Sequence, residues 1–171
     1  ITQLGKSKDG YGLLIGQGFG KKSSTFVPEI RCKDRDNLLV VTKDENTALS
    51  IFELSAMSIL YEKLHTNAYV SRRLIYVVDL SAGELTDEEC DFDFFQSQFP
   101  QQVEIAKIGE VEDLIAALYE EVIGRSEGTR SSDERIFLMF FGISRAKRLI
   151  TGSIYDEDGN GELSAGEMLQ K

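Results

Sequence analysis

The sequence predicts an α/β fold in which a mainly parallel sheet is flanked by helices. Apolar runs at residues 37–42, 74–79 and 136–141 are typical of strands buried on both faces of a sheet. Amphipathic helical periodicity occupies residues 46–65 and 110–123, which lie between those runs. Because a strand, a helix and a second strand follow one another, the connection is predicted to be a parallel crossover.

Composition limits the class of protein. The chain has 171 residues, of which 42% are hydrophobic, enough for one domain with a real core. Its net charge of −10 makes the general surface unsuited to a phosphate backbone, so nucleic-acid binding would need a local basic strip. No apolar stretch approaches the roughly 20 residues that a membrane-spanning helix needs. We expect a cytoplasmic location, with membrane association of a parent protein left open.

The cysteines and the histidine exclude several kinds of site. Cys32 and Cys90 lack the close spacing of a metal knuckle or a redox pair, which favours a reducing compartment. Cys90 lies among carboxylates that disfavour its thiolate, so a nucleophilic role is not expected. The single histidine, His65, excludes a multi-histidine zinc site and is predicted to end a helix.

The first part of the chain, residues 1–36, is predicted to be a β lead-in to the main core at residues 37–171. Extended stretches at residues 11–15 and 24–27 flank the glycine-rich residues 16–22, a pattern typical of a hairpin. The glycines lack GxGxxG spacing, and no amphipathic helix follows them directly. A hairpin is therefore favoured over a phosphate loop.

The helix at residues 46–65 is predicted to be covered on most sides, with Asn46 as its N-cap. Apolar residues recur along it at spacings of three and four, and others widen the buried face. These residues are Leu49, Ile51, Phe52, Leu54, Ala56, Met57, Ile59, Leu60 and Leu64.

The second half of the chain continues the alternation of strands and helices. Residues 81–102 are acidic and contain interspersed phenylalanines, which predicts short helices or a connection docked by its rings. Residues 103–108 return to a strand. The helix at residues 110–123 has an acidic first turn, and a solvent loop is expected at residues 124–134. The run at residues 136–141 is the most apolar and is expected near the centre of the sheet. The apolar side of the second helix consists of Val111, Leu114, Ile115, Leu118 and Val122.

Two polar features follow strand ends. Asp79 is expected to cap the end of its strand in preference to a catalytic role. Arg145, Lys147 and Arg148 follow the last apolar run. A solvated basic turn is favoured there over a phosphate contact, because such a turn suits a strongly acidic protein.

Three short motifs occur in order along the chain: Asn-Leu-Leu-Val-Val-Thr at residues 37–42, Ser-Ile-Leu-Tyr at 58–61, and Tyr-Val-Val-Asp-Leu-Ser-Ala-Gly-Glu-Leu at 76–85. Their order and spacing resemble the FtsK/SpoIIIE-type motor domain of the P-loop DNA-translocase and HerA-like superfamily. The resemblance covers most of the chain and implies a P-loop NTPase-like fold of the RecA and FtsK type. The family's later strands would then follow residue 171.

In the resemblance, the phosphate-loop signature is replaced. A working loop has the pattern G-x-x-x-x-G-K-[ST], because glycines let backbone N–H groups approach phosphate, lysine reaches the β and γ phosphates, and the hydroxyl holds magnesium. The glycine, lysine and hydroxyl positions are occupied by threonine, alanine and leucine, and two carboxylates would repel a triphosphate. The frame comprises Thr42, Lys43, Asp44, Glu45, Asn46, Thr47, Ala48 and Leu49.

The Walker B position is replaced as well. An active motor carries an aspartate, usually followed by a glutamate, at the end of its apolar strand. This chain has Phe141 and Gly142 there. The resemblance therefore implies a motor fold without its hydrolytic parts and without an assigned catalytic residue, with ATP or ADP left open as a ligand.

A separate motif lies near the end of the chain. Residues 156–167 match the EF-hand loop pattern D-x-[DN]-x-[DN]-G-x5-E. The metal ligands would be Asp156, Asp158, Asn160, Glu162 through its carbonyl, and Glu167. No second loop is present for pairing, and the preceding segment lacks a helical face. The alternative is an acidic loop leading into a helix, with Ser164 and Glu167 forming a capping box. Low-affinity calcium binding stays open.

The leading hypothesis is a non-hydrolysing FtsK/SpoIIIE-like module that serves assembly, regulation or partner binding within a larger DNA- or protein-translocating ATPase. Its expected partners are other ATPase domains of the same or a neighbouring chain, arranged in a ring, with DNA reached through the parent protein. One alternative is an active ATP-dependent DNA translocase domain completed by other subunits. The other is a calcium-binding interaction module. The start at Ile1 and the unfinished helix at Lys171 predict a fragment of a longer protein.

Overall fold

Strand β5 (Ile75–Asp79) forms the centre of a three-stranded parallel sheet, between β6 (Val103–Lys107) and β7 (Phe137–Phe141). The protein is seen here as a computed structural model that describes residues 10–13, 15–17, 25–26, 28–31, 37–65, 73–81, 92–131, 135–145 and 164–170. Both neighbours align with β5 over its whole length.

Helices connect and flank these strands. Helix α2 (Phe92–Gln98) precedes β6, and helix α3 (Val111–Ser126) lies between β6 and β7 in the chain. Both helices contact β6, and α3 also contacts a short helix, α4 (Ala165–Gln170). A single 3₁₀ turn (Ile143–Arg145) follows β7. The predicted α/β class, with a mainly parallel sheet flanked by helices, is confirmed.

The core around this sheet is apolar and tightly covered. Alternate residues of β5 and β6 contact the face of α3 that carries Val111, Leu114 and Ile115, as the helical periodicity predicts. Each fully buried aliphatic side chain contributes about 1.5–3 kcal/mol relative to exposure. Val122, assigned from the sequence to the same apolar side, is 60% exposed, so that assignment was wrong. The core cluster consists of Val78, Leu80, Ala106, Val111, Leu114 and Ile115.

The order of the strands corrects one prediction. Residues 136–141 were expected near the centre of the sheet, but β7 pairs with β5 alone among the described strands, and its first four residues are only half-buried. In contrast, Ile75 and Val78 of β5 have no exposed surface. A strand with neighbours on both sides loses more of its surface than a more apolar strand with one neighbour.

The chain divides into two compact units, Ile1–Ser71 and Arg72–Lys171, of which the second contains the parallel sheet. In the first unit, β1 (Gly10–Gly12) pairs antiparallel with β4 (Glu29–Arg31). Strand β2 (Gly16–Gln17) pairs in the same sense with β3 (Thr25–Phe26). Antiparallel pairing in this part of the chain agrees with the predicted hairpin, but β2 lies within residues 16–22, which were predicted as the turn.

Helix α1 (Glu45–His65) follows in the first unit and contacts β1. The backbone N–H of Ala48 donates to the carbonyl of Asp44 (3.1 Å), which makes Asp44 the N-cap in place of the predicted Asn46. The Thr47 hydroxyl donates to the Asp44 carboxylate and completes this start of the helix. The helix ends at His65, as predicted.

The inner face of α1 contains two small polar residues. The hydroxyls of Ser55 and Ser58 are buried and donate to the carbonyls of Ile51 and Leu54, each at 2.7 Å. Because these bonds satisfy the hydroxyls within the helix, serine is tolerated among apolar neighbours. Up to residue 62, the buried apolar residues of this helix are Leu49, Ala56, Ile59 and Leu60.

The prediction of a buried strand at residues 37–42 is wrong, because these residues form no strand and are exposed. Leu39 and Val41 are 74% and 83% exposed. An apolar run indicates a preference for burial, but a strand forms only where a neighbour pairs with its backbone. The described sheets do not include this segment. In the part of the chain described, no helix is both long and apolar enough to span a lipid bilayer.

The turn after α3 is held by charge. The Glu121 carboxylate accepts hydrogen bonds from Arg125 (2.8 Å) and from Arg130 in the turn. Thr129 donates through both its backbone N–H and its hydroxyl to the carbonyl of Gly124 (2.9 Å each). The bonds from Arg125 and Arg130 lower the pKa of Glu121 below its ordinary value of 4.5, although burial opposes them. This turn corresponds to part of the loop predicted at residues 124–134.

The lowered pKa of Glu121 predicts a pH-dependent contribution to stability. Since the folded pKa lies below that of the unfolded chain, the contribution is present above pH 4.5 and is lost as the pH falls through the folded pKa. We expect Glu121→Gln to lower the free energy of unfolding at pH 7 and to lower it by less at pH 3, measured by urea denaturation. Glu120→Gln, at an exposed position of the same helix, is the control. An equal deficit at both pH values would contradict the assignment.

Candidate functional site

The carboxyl edge of the parallel sheet is the place where ligands bind in open α/β folds. Asp79, Lys107 and Phe141 end the three strands and are aligned with one another across the sheet. The predicted Walker B position therefore lies beside Asp79. Whether this edge can hold a ligand depends on what these residues already contact.

The end of β5 is closed by its own turn. The carboxylate of Asp79 accepts a hydrogen bond from the backbone N–H of Ser81 (2.9 Å). The N–H of Leu80 donates to the carbonyl of Phe141 (3.0 Å), and Leu80 and Ser81 are both buried. The predicted role of Asp79 in capping the strand end is confirmed.

The end of β6 is also closed locally. The backbone N–H of Lys107 donates to the carboxylate of Glu110 (3.0 Å), and the N–H of Glu110 donates to the carbonyl of Lys107 (2.8 Å). The ammonium group of Lys107 lies 3.9 Å from Asp93, and both side chains are exposed, so this pair contributes at most about 1 kcal/mol. The polar groups of this strand end are thus used in the turn that starts α3.

Phe141 occupies the Walker B position with an aromatic contact. Its ring centroid lies 5.5 Å from that of Phe92 at the start of α2, with 69° between the planes. Both residues are buried. An edge-on pair of this kind contributes about 0.5–1.5 kcal/mol beyond the burial of its surface. Phe92 thereby docks α2, as the phenylalanines in residues 81–102 predict.

Gly142, at the position of the second Walker B carboxylate, lies close to the backbone that follows β5. Its φ angle is +74°, which L-residues with a side chain rarely adopt. A Cβ atom at this position would lie 3.3 Å from the carbonyl carbon and oxygen of Leu80. A glutamate here would therefore combine an unfavourable backbone conformation with a contact that requires the Leu80 backbone to shift slightly.

The residues aligned with a phosphate loop are located at the start of α1. Residues 42–47 are exposed, Ala48 is half-buried and Leu49 is 6% exposed. The carboxylate of Asp44 occupies the positive end of the helix dipole, the place that a phosphate group would otherwise favour. The position of the magnesium-binding hydroxyl is filled by a leucine of the core.

The EF-hand-like motif is described only at its end. Asp156, Asp158, Asn160 and Glu162 lie outside the described residues, as do Cys32, Cys90, Lys147 and Arg148. The Glu167 carboxylate accepts from both the backbone N–H and the hydroxyl of Ser164 (2.8 Å each), and the Glu167 N–H faces the same hydroxyl at 3.4 Å. The predicted capping box is confirmed. Within the described ranges, no cluster of three or more metal-binding side chains occurs.

The sequence-based reasoning missed one surface on α1. Leu54 and Met57 were assigned to the buried face, yet they are 40% and 43% exposed, and Tyr61 is 40% exposed. Their separations of three and four residues place them along one line of the helix. The sequence feature that could have indicated this surface is that all the residues on that line are uncharged.

Comparisons with models of protein families, with characterised proteins and with solved structures found no match to this chain. The described geometry itself defines the class as an α/β module whose carboxyl sheet edge is closed by packed and capped side chains.

The close approach at Gly142 can be tested against a matched glycine. Gly128 also has a positive φ angle (+72°), but nothing lies within 4 Å of a Cβ atom placed there. We expect Gly128→Ala to destabilise the fold by about 1 kcal/mol through backbone strain alone. Gly142→Ala should cost about 2–3 kcal/mol, because the contact with Leu80 adds to the strain. Equal losses of unfolding free energy in urea would show that Leu80 does not restrict this position.

Proposed function

We propose that the chain is a non-hydrolysing FtsK/SpoIIIE-like module that acts by binding partners within a larger translocating ATPase. The observation that carries this proposal is the packing at the Walker B position. Phe141 contacts Phe92 in the core, and a Cβ atom at Gly142 would lie 3.3 Å from the backbone of Leu80, so neither position carries a carboxylate and one at Gly142 would require that backbone to move. Hydrolysis of ATP requires such a carboxylate to hold magnesium.

The start of α1 supports the same conclusion independently. Leu49 is buried in the position of the magnesium-binding hydroxyl, and Asp44 places a negative charge at the helix N-terminus. A nucleoside triphosphate brought to this turn would meet the carboxylates of Asp44 and Glu45. The glycines and the lysine of the phosphate-loop signature are not there to bind it. The resemblance to the motor family therefore extends to the order of motifs and stops at the reacting groups.

Binding of a partner is supported by apolar surface in the first unit. Residues 38–41 are four consecutive apolar residues, all exposed. Contiguous exposed apolar surface is characteristic of protein–protein contact sites. In the proposed setting, the partners are other ATPase domains of the same or a neighbouring chain, in a ring, and DNA is contacted through the parent protein.

Nucleotide binding provides the direct test. We expect calorimetric titration with magnesium-ATP or ADP, in the presence of a calcium chelator, to give no binding heat up to millimolar nucleotide. Binding tighter than about 100 μM, or roughly −5.5 kcal/mol, would contradict a closed site. Magnesium-dependent turnover would instead support the alternative of an active translocase domain.

A single-residue restoration tests the same point by a different route. We expect Ala48→Lys to produce no magnesium-dependent hydrolysis of ATP, because the glycines and the Walker B carboxylate are still missing. Leu49→Ser would restore the hydroxyl, but we expect it to lower the unfolding free energy by about 2–5 kcal/mol, since it empties a core position. Ser50→Ala, at the exposed neighbouring position of the same helix, is the control for stability. Phosphate release from Ala48→Lys alone would refute the proposal.

A further inference from the structure

Between residues 48 and 62, one line of α1 is exposed while the other positions are covered. From residue 48 to residue 62, the exposed positions are Ser50, Leu54, Met57 and Tyr61, and every other position is buried or half-buried. The separations are four, three and four residues. This is the a and d spacing of a heptad, which forms a narrow seam suited to one facing helix.

The seam has no charge of its own. Apolar residues occur on most sides of α1, and a helix with such a wide apolar surface is normally covered on most sides. Between residues 48 and 62 the seam is the most exposed part of its circumference, with Leu54, Met57 and Tyr61 40%, 43% and 40% exposed. Because the seam is one residue wide, its complement is a single helix that inserts its side chains between Leu54, Met57 and Tyr61.

The surroundings of the seam indicate the charge of that helix. Glu45, Glu53 and Glu62 are the charged residues between positions 45 and 62, and no cation occurs there. Glu53 borders the seam beside Leu54, at the g position of the heptad, where charges on paired helices determine the choice of partner. Burial raises the pKa of Glu53, and a cation placed opposite would oppose that effect. A second copy of this chain carries the same net charge of −10, and the one lysine of α1, Lys63, lies beyond the last residue of the seam.

We propose that the seam formed by Ser50, Leu54, Met57 and Tyr61 docks one amphipathic helix of a partner protein, with apolar a and d residues and lysine or arginine at the flanking positions. The inference rests on the proposed function as a partner-binding module and specifies the partner's chemistry. In this mode of binding, the apolar stripe of the partner helix lies against the seam, and Glu53 favours a helix with basic flanking residues.

The test uses the full 171-residue chain and two designed peptides of four heptads. Both peptides carry leucine at a and d, and one has lysine at e and g where the other has glutamate. Binding is measured by fluorescence anisotropy, and the contact is located by amide chemical shifts. We expect the lysine peptide to bind at least tenfold more tightly than the glutamate peptide, with shifts concentrated along α1 and a preference that shrinks at high salt.

Variants separate the seam from general attraction of a basic peptide to an acidic chain. We expect the double variant Leu54→Glu and Met57→Glu to weaken binding of the lysine peptide at least tenfold. Val122→Glu adds a charge at an exposed apolar position of α3 and should leave binding within about twofold. Glu53→Lys should reduce the preference for the lysine peptide severalfold. Melting temperatures verify that each variant folds.

Three results would overturn the inference. The first is equal loss of binding in the seam and Val122 variants. The second is a lysine peptide that does not bind or shifts amides away from α1. The third is a dimer of the chain, seen by light scattering, that dissociates in Leu54→Glu, which would assign the seam to a second copy. Failure of the proposed function is distinguishable, because it appears as nucleotide binding or turnover whatever the peptides do.

Discussion

The second unit depends on the double backbone pairing of β5. The N–H of Ile75 donates to the carbonyl of Gln102 ahead of β6, and the N–H of Phe137 donates to the carbonyl of Leu74. Because both ladders begin at the start of β5 and keep register to Asp79, all three strands end at one level. The side chains of Ile75 and Val78 in β5 then have no exposed surface, and α3 packs against one face of the sheet.

That alignment also explains why the sheet edge is closed. Strand ends at one level bring Phe141 close to the turn after β5, where Leu80 donates to it and Gly142 passes against the same backbone. In a parallel sheet, this edge usually offers free loops and polar groups to a ligand. Here the space is taken by the Phe92–Phe141 contact and by turns that satisfy their own polar groups. Among the described residues, the groups at these three strand ends are therefore used in packing and capping.

Much of the fold could be predicted from the sequence, because periodicity is a local property. The helix at α3, the strand at β5 and the capping box of α4 follow from residue types at fixed spacings. The order of the strands cannot be predicted in this way, because an apolar run indicates burial but does not show which strand pairs with it. The position of β7 at the edge of the described sheet is an example. For the same reason, residues 37–42 carry the composition of a buried strand and yet are exposed. At the candidate site, the sequence itself shows that the carboxylates are missing. The ring of Phe92, which packs against Phe141 at that position, comes from a distant segment and could not be predicted.

The exposed residues 38–41 have a consequence for the behaviour of the chain in solution. Four successive apolar residues that include two valines, with no proline or glycine, are the composition of segments that stack into intermolecular β-sheets. In this sequence they are bordered by Arg35 and Asp36 on one side and by Lys43 and Asp44 on the other. Flanking charges of this kind act as gatekeepers, since stacked copies would bring like charges together. Colloidal stability of the isolated chain is thus tied to those few charges and, through them, to the acidity and ionic strength of the medium.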